Sequence, residues 1–178
     1  MDAILDILAA NPEANMVGAA AALLGGVWPL FKTRTAMLWA HAVIHVLMCT
    51  HFFLLGALSG SLMNALGLGQ TLAAIPLGTR PGFKKIYIAY LPLIAAGAAY
   101  TWVGPESLFA AGGLAMLSLA RYQTDVMRFR VLILGAIFSW TVYDVIVMSI
   151  PGLTLDSLSL VTSLLMIRRE ARLAKAVL

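Results

Sequence analysis

The chain has 178 residues, of which 61% are hydrophobic and only 11% are charged, and its formal net charge is +4. Soluble domains carry about 25% charged residues, because a globule in water must cover itself with polar groups. The composition therefore excludes an ordinary soluble domain and predicts a membrane protein. The positive charge does not indicate a nucleic-acid partner, since the sequence has no basic patch with interleaved aromatic residues. The single cysteine, Cys49, excludes an intrachain disulfide.

Seven apolar stretches follow one another along the chain, and each predicts a membrane-spanning helix. Such a helix needs roughly 17–25 mostly apolar residues, so the fifth and the seventh stretch are short. The residues before the first stretch, 1–15, predict an amphipathic segment on the outer side of the membrane. The predicted spans are 16–31, 35–56, 58–78, 86–103, 107–120, 129–150 and 153–167.

The lysines and arginines all fall on one side of these seven spans. The first, third and fifth connections and the C-terminal tail contain eleven of the twelve, Arg130 lies next to the fifth connection at the start of the sixth span, and the other connections contain none. Under the positive-inside rule, this distribution predicts a cytoplasmic C-terminus and an N-terminus outside the cytoplasm. We attribute the basic residues to this topology and to contact with anionic lipid headgroups. They are Lys32, Arg34, Arg80, Lys84, Lys85, Arg121, Arg128, Arg130, Arg168, Arg169, Arg172 and Lys175.

An internal repeat is predicted from the odd number of spans. Two three-helix units share one orientation if a linker helix reverses the chain between them, and parallel repeats of this kind occur in small transporters such as the SWEET proteins. An offset of 92 residues supports the repeat, because it aligns two similar helix–turn–helix segments. The aligned pairs are His51 with Tyr143, Gly60 with Gly152, Asn64 with Asp156 and Leu66 with Leu158. The predicted units are residues 16–79 and 105–168, with a linker helix at 80–104 and a basic tail at 169–178.

The run HFFLLG at 51–56, followed by a small-residue turn and LMNAL at 62–66, resembles the YgjV-type family of bacterial inner-membrane proteins. The second half resembles the family at 140–144 and 149–156. The family is distantly similar to SWEET and PQ-loop proteins. The resemblance therefore implies an all-α inner-membrane protein with seven transmembrane helices in a three-one-three, SWEET-like bundle. The Pro-Gln motif of PQ-loop proteins is absent, because Trp28 and Pro29 stand in its place.

Polar side chains at similar depth in the outer half of the membrane predict one pocket. An Asp at the centre of a membrane helix costs about 2.5–3.5 kcal/mol, so Asp144 is by default a functional residue. Asp156 fits a helix-capping or first-turn acid equally well. Two acids and a histidine favour a neutral or cationic solute over an anion. The predicted substrate-binding residues are His51, Asn64, Trp140, Tyr143, Asp144 and Asp156.

A second polar stripe, His41, His45 and Cys49, lies on one face of the second span. Two histidines four residues apart can ligate a metal, and membrane histidines can anchor haem. No HExxH motif, CxxC motif or second histidine-rich span completes such a site. We therefore predict no metal and no cofactor, and we name His41 and His45 as candidates for a proton relay.

The function predicted from these features is transport or facilitated movement of a small neutral or cationic polar solute, with proton coupling left open. No GxSxG, P-loop or Rossmann pattern is present, so an enzyme is not expected. The alternative is a non-catalytic accessory or scaffold subunit of a larger membrane complex, and a receptor is a third class. The expected partners are the lipid bilayer, the solute, and either further copies of the chain or other membrane proteins.

Overall fold

The computed structural model describes residues 9–78 and 84–176, together with Asp6 and Gly82. These residues form seven α-helices, and the all-α prediction is confirmed. The helices are α1 (Pro12–Val27), α2 (Arg34–Leu54), α3 (Leu58–Ala74), α4 (Lys84–Tyr100), α5 (Glu106–Arg121), α6 (Val126–Ile146) and α7 (Ile150–Ala176). Short 3-10 turns, Trp28–Leu30 and Ile75–Gly78, continue α1 and α3. Most of the segment predicted at 1–15, Arg80, and the side chains of Lys84 and Lys175 lie outside the described residues.

Three of the described helices are long and apolar enough to cross a membrane. They are Arg34–Leu54, Val126–Ile146 and Ile150–Leu173, and the stretch Lys85–Tyr100 is apolar but shorter. Helices α1 and α5 have 16 residues each, which at 1.5 Å per residue is about 24 Å, less than the roughly 30 Å hydrocarbon core. The membrane character is thus confirmed, whereas a count of seven complete spans stays a prediction.

Helix α7 is longer than its predicted span of 153–167. It continues to Ala176, so Arg168, Arg169 and Arg172 lie on the same helix as the apolar residues before them. The sequence after 167 contains no glycine or proline, and strong helix formers such as Arg, Ala, Leu and Glu do not end a helix. The predicted basic tail is therefore helical over its described part.

The six helices other than α4 form a ring through their main contacts. Following neighbours around the ring gives the order α1, α2, α3, α5, α6, α7 and back to α1. The ring closes where α1 packs against α7 and where α3 packs against α5. Helix α4 packs against α3 and α5 from outside, and much of its surface, including Ile88, Leu93 and Tyr100, is exposed. The centre of the molecule is therefore enclosed by six helices.

The hairpins α2–α3 and α6–α7 turn with the same backbone geometry. In each hairpin the chain reverses through one residue with positive φ, which is Gly56 at 73° in the first and Met148 at 55° in the second. The next amide N–H then donates back across the turn, from Ala57 to Phe52 O at 2.8 Å and from Ser149 to Asp144 O at 2.9 Å. This is the hydrogen bonding of a Schellman helix end, which satisfies carbonyls that the helix leaves free.

The opposite ends of the same helices also resemble each other. The residue before α2, Thr33, accepts from Ala36 N at 3.3 Å, and the residue before α6, Asp125, accepts from Arg128 N at 2.8 Å. Both are helix N-caps formed by oxygen-bearing side chains. We call the end of the bundle that contains these caps the basic end, and the end with the two tight turns the hairpin end.

Candidate functional site

A cavity of about 80 Å³ lies inside the ring. A buried water needs about 10–15 Å³ on this kind of measure, so the cavity has room for a small solute or several waters. Most of its wall is apolar, and the polar exceptions are two histidines, one asparagine, two aspartates and one serine. The lining residues are Trp28, His41, Ile44, His45, Met48, Phe52, Asn64, Leu117, Ile133, Ala136, Ile137, Trp140, Asp144, Gly152, Leu155, Asp156 and Ser159.

Helices α2 and α6 contribute matching positions to the cavity wall. Five residues of each helix line it, and each α6 position lies 92 residues after an α2 position. The pairs are 41 with 133, 44 with 136, 45 with 137, 48 with 140 and 52 with 144. Asn64 on α3 and Asp156 on α7 form a sixth pair with the same offset. The two hairpins thus present the same positions to the cavity, but with different side chains.

The second hairpin carries both carboxyl groups of the cavity. Asp156 Oδ2 accepts from Thr141 Oγ1 at 2.9 Å, so its neighbour on α6 stabilises it. Asp144 is 2% exposed, and its Oδ1 has no hydrogen-bond partner among the described residues. Both carboxyls line the same cavity. Gly152 packs directly on the Asp144 carboxyl and leaves no space there for a Cβ atom.

A chain of buried hydrogen bonds runs from the cavity wall toward the basic end. Arg121 Nη2 lies 2.6 Å from His45 Nε2, and His45 Nδ1 lies 2.9 Å from Asn64 Oδ1. Because a guanidinium only donates, His45 Nε2 must accept, and the imidazole proton is then on Nδ1 and is donated to Asn64. Asn64 Nδ2 donates to Gly60 O at 2.9 Å. His45 is therefore held neutral in one tautomer as long as Arg121 contacts it.

The expected headgroup contact is wrong for Arg121, whereas the predicted topology is not affected and stays a prediction. Its side chain is 1% exposed and points into the ring, where Nη1 also donates to Gln70 Oε1 at 2.7 Å. Gln70 in turn donates to Ser118 Oγ at 2.6 Å. The guanidinium thus has polar partners from α2 and α3, but none of its hydrogen bonds goes to a carboxylate.

Two further arginines are buried at the basic end, where each joins different helices. Arg34, at the start of α2, donates to the carbonyls of Ala74, Arg121 and Gln123 at 3.1, 3.0 and 2.8 Å. These carbonyls lie at the ends of α3 and α5 and lack helical partners, so a guanidinium is well suited to cap them. Headgroup contact is therefore also wrong for Arg34.

Arg130, near the start of α6, joins the end of α1 and helix α7. It donates to the carbonyls of Pro29 and Phe31, the latter at 2.9 Å, and forms an ion pair with Glu170 at 3.4 Å. Its side chain is fully buried. Arg34 thus connects α2 to the end of α5, and Arg130 connects α6 to the end of α1.

His51 and Tyr143, both predicted to line the pocket, lie outside the cavity wall and join the two hairpins. His51 Nδ1 donates to Ala14 O at 2.7 Å, and its Nε2 lies 2.8 Å from Ser149 Oγ. Tyr143 Oη accepts from Gly60 N at 2.8 Å. Tyr143 also lies 3.5 Å from Ala57 O, which is 92 positions before Ser149. Each side chain therefore contacts the turn of the opposite hairpin.

Aromatic rings cover the apolar part of the cavity. Trp28 meets the ring of His41 edge-on at a centroid distance of 4.4 Å, and its Nε1 donates to Ser159 Oγ at 3.1 Å. Phe52 and Trp140 face each other across the ring of helices, with centroids 6.1 Å apart and planes 14° apart. The hydrogen bond orients Trp28, while the stacked pair brings α2 and α6 together.

The structure brings four of the six predicted binding residues to one cavity, namely Asn64, Trp140, Asp144 and Asp156, and adds His41 and His45. The residues missed by the sequence interpretation are Arg121, Gln70 and Ser118. Gln70 and Ser118 were detectable as polar residues inside apolar stretches, whereas nothing local shows that Arg121 turns inward. Within the described residues, no group of three or more His, Cys, Asp and Glu side chains is placed to hold a metal ion.

The helices and the cavity define an α-helical membrane protein with a polar site in its interior. Residues 13–174 match the Imp-YgjV family, described as a bacterial inner membrane protein. Since the match covers most of the chain, the protein belongs to this family of bacterial inner membrane proteins, as its HFFLLG run indicated. No curated protein and no solved structure matches the chain.

Proposed function

We propose that the protein is a transporter that moves a small neutral or cationic polar solute across the bacterial inner membrane. The observation that carries this proposal is the cavity inside the helix ring, lined by two buried aspartates. Buried carboxyls in membrane helices are costly and are typically kept for ion or substrate pathways. A rigid scaffold has no comparable need for Asp144, whose Oδ1 lacks a partner among the described residues.

The matching halves support a three-one-three, SWEET-like arrangement of parallel repeats. The offset of 92 residues relates the positive-φ turn residues, Gly56 and Met148, and the N-caps, Thr33 and Asp125. The same offset relates the cavity-lining positions of α2 and α6. The order of helices in the ring is unchanged when the two halves are exchanged, and α4 lies outside it. In this arrangement a solute site between the halves is reached when one half moves against the other.

Hydrogen bonds join the two halves at both ends of the ring. At the hairpin end, His51 contacts Ser149 and Tyr143 contacts Gly60. At the basic end, Arg34 and Arg130 hold the ends of the helices. Both sets join one half to the other, so opening either end requires breaking hydrogen bonds between halves. By the distribution of positive charge, we assign the basic end to the cytoplasm.

Access to the cavity from both membrane faces tests the proposal. The variant combines Ala136→Cys, which places a thiol in the cavity wall, with Cys49→Ser, which removes the natural thiol. The membrane-impermeant reagent 2-(trimethylammonium)ethyl methanethiosulfonate is added to right-side-out and to inside-out vesicles. A transporter that opens alternately is modified in both preparations, because each face reaches the cavity for part of the time.

The matched control is Arg172→Cys in the same background, since Arg172 is exposed near the end of α7. It should react in inside-out vesicles alone, which also measures the predicted orientation. Modification of the cavity thiol from a single face, or from neither, contradicts the transport proposal. An unreactive cavity in a protein that purifies with a stoichiometric partner favours the accessory-subunit alternative.

A further inference from the structure

The charged side chains that line the cavity are both acidic. Asp144 and Asp156 line the cavity, whereas none of the described lysines and arginines does. Arg121 is buried but does not line the cavity; its Nη2 and Nη1 bond to His45 and Gln70, and its Nε has no partner among the described residues. A solute anion in the cavity would meet the two acids, and no described guanidinium lines the cavity to bind it. The charge distribution therefore favours a cation.

The Asp144 carboxyl is a second, independent sign of a missing ligand. It is 2% exposed, it lines the cavity, and its Oδ1 accepts no hydrogen bond from any described residue. Buried polar atoms nearly always have a partner, and an unsatisfied one costs roughly 1–3 kcal/mol. A donor brought in by the solute would satisfy this oxygen, and Asp156, with one oxygen on Thr141, stands beside it.

The remaining wall discriminates between kinds of cation. A divalent metal ion such as Ca²⁺ takes six to eight oxygen ligands, and Mg²⁺ requires an octahedral oxygen shell. Here the two carboxyls share the cavity wall with Trp28, Phe52 and Trp140, with aliphatic side chains, and with His41, His45, Asn64 and Ser159. Aromatic faces attract ammonium groups and tolerate alkyl groups, with tryptophan the strongest of the three aromatic residues. Such a wall suits an organic ammonium ion better than a metal ion.

We infer that the solute carries an ammonium group on a small alkyl body, with the ammonium at Asp144 and Asp156 and the alkyl part against Trp28, Phe52 and Trp140. This inference rests on the proposed transport function and specifies its substrate class. It assigns the acids and the aromatic rings different roles, since the acids select charge and the rings select size.

Two pairs of probes that differ in charge but hardly in shape test the inference. They are tert-butylammonium with tert-butanol, and methylammonium with methanol. Binding to the purified protein is measured by isothermal titration calorimetry at one pH and one ionic strength. We expect tert-butylammonium to bind at least tenfold more tightly than tert-butanol, and more tightly than methylammonium, because it fills more of the apolar wall. Equal affinities within a pair would overturn the inference.

Substitutions of the two aspartates test whether these acids cause the preference for the charged probes. Asp144→Asn is expected to weaken tert-butylammonium binding at least tenfold and to leave tert-butanol unchanged, and Asp156→Asn should act in the same direction. The matched control is Glu13→Gln, an exposed acid at the start of α1. Should the asparagine variants fail to fold, the probe pairs on the unaltered protein still decide. A cavity open to both faces that binds no ammonium probe refutes this inference alone, whereas a sealed cavity refutes the transport proposal.

Discussion

The hairpin of α2 and α3 and the hairpin of α6 and α7 have the same turn but different polar groups. Phe52 and Asn64 of the first hairpin occupy the positions that Asp144 and Asp156 occupy in the second. Both pairs line the cavity, so the first hairpin presents neutral groups and the second presents acids. Matching backbone positions thus carry neutral side chains in one hairpin and acidic side chains in the other. Both acids of the cavity come from the α6–α7 hairpin.

The two hairpins also differ in the group that accepts a hydrogen bond from the backbone N–H at the start of their second helix. In the α6–α7 hairpin, Ser149 Oγ accepts from Gly152 N at 3.0 Å, as a helix N-cap does. The corresponding residue of the first hairpin is Ala57, which has no hydroxyl. There, Gly60 N donates instead to Tyr143 Oη from the opposite hairpin. The first hairpin therefore depends on the second for its cap, whereas the second supplies its own.

The largest effect is expected from adding a methyl group where the hairpins are tightest. In Gly60→Ala the new Cβ would lie 2.5 Å from Tyr143 Oη, and in Gly152→Ala it would collide with the Asp144 carboxyl. Overpacking of this kind costs about 1–3 kcal/mol. Both variants should lower the free energy of unfolding, measured by circular dichroism in mixed micelles, and Gly152→Ala should also weaken tert-butylammonium binding.

Gly135→Ala is the control for these two variants. Its Cβ would meet only Met116 Sδ, at an ordinary 3.5 Å. Replacing a helical glycine by alanine then gains up to about 1 kcal/mol of helix propensity. Loss of stability in Gly135→Ala equal to that in Gly152→Ala would mean that the close approach is not the cause.

Removing the two caps is expected to have an intermediate effect. Ser149→Ala leaves Gly152 N and His51 Nε2 without their partner. Tyr143→Phe leaves Gly60 N without its partner and removes the long contact to Ala57 O, which still accepts from Ser61 N. Losing a helix cap costs about 0.5–2 kcal/mol, so both variants should lose stability and Ser149→Ala should lose more. The same micelle unfolding assay measures both.

Adding Ala57→Ser to Tyr143→Phe gives the first hairpin the cap that the second has. Part of the lost stability should return, because a serine hydroxyl at this position can accept from Gly60 N. No recovery would contradict the capping role, since Tyr143→Phe keeps the ring that packs on Phe52 and Trp140 and removes only the hydroxyl.

The smallest effects are expected at the two positive-φ residues, with opposite signs. A side chain in the left-handed region costs about 1–2 kcal/mol, and glycine avoids this cost while losing more chain entropy on folding. Met148→Gly should therefore stabilise the protein by up to about 1 kcal/mol, since Met148 is 63% exposed and packs little. Gly56→Ala should destabilise it by about 1 kcal/mol, although nothing lies within 4 Å of the new Cβ. Thermal unfolding of both variants tests these signs, and equal signs would contradict the shared turn geometry.

Much of the fold was predictable because it depends on local signals. Long apolar stretches separated by short polar connections fix the number of helices, and the small residues between 56 and 61 mark the first tight turn. The second turn was harder to recognise, because its left-handed position is Met148, where glycine is usual. The alignment of Asn64 with Asp156 depends on spacing alone, and both line the cavity at matching positions.

The site was less predictable, because the depth of a residue in the membrane does not show which side of its helix the residue lies on. The lining positions of α2 are 41, 44, 45, 48 and 52, which follow one helical face. His51 is one residue before Phe52, so it points about 100° away from that face. Tyr143 has the same relation to Asp144. Applied to each helix, this periodicity would have separated the cavity residues from those that join the hairpins.

The inward turn of Arg121 has no comparable signal. An arginine at the end of a helix can extend toward headgroups or fold back along the helix, and the choice depends on acceptors elsewhere in the chain. Here the acceptors are Gln70 and His45, 51 and 76 residues away in sequence. Only the assembled ring brings these groups together.

Helix α4 has a consequence for the site that it does not touch. A ring made from two identical chains would carry either two asparagines or two aspartates at the position of Asn64 and Asp156, and likewise two phenylalanines or two aspartates at the position of Phe52 and Asp144. In the repeat arrangement proposed above, joining both halves in one polypeptide removes that restriction, and each half can acquire its own residues by independent substitution. The peripheral helix thus permits a cavity with one neutral wall and one acidic wall, a polarity that a symmetric dimer cannot have.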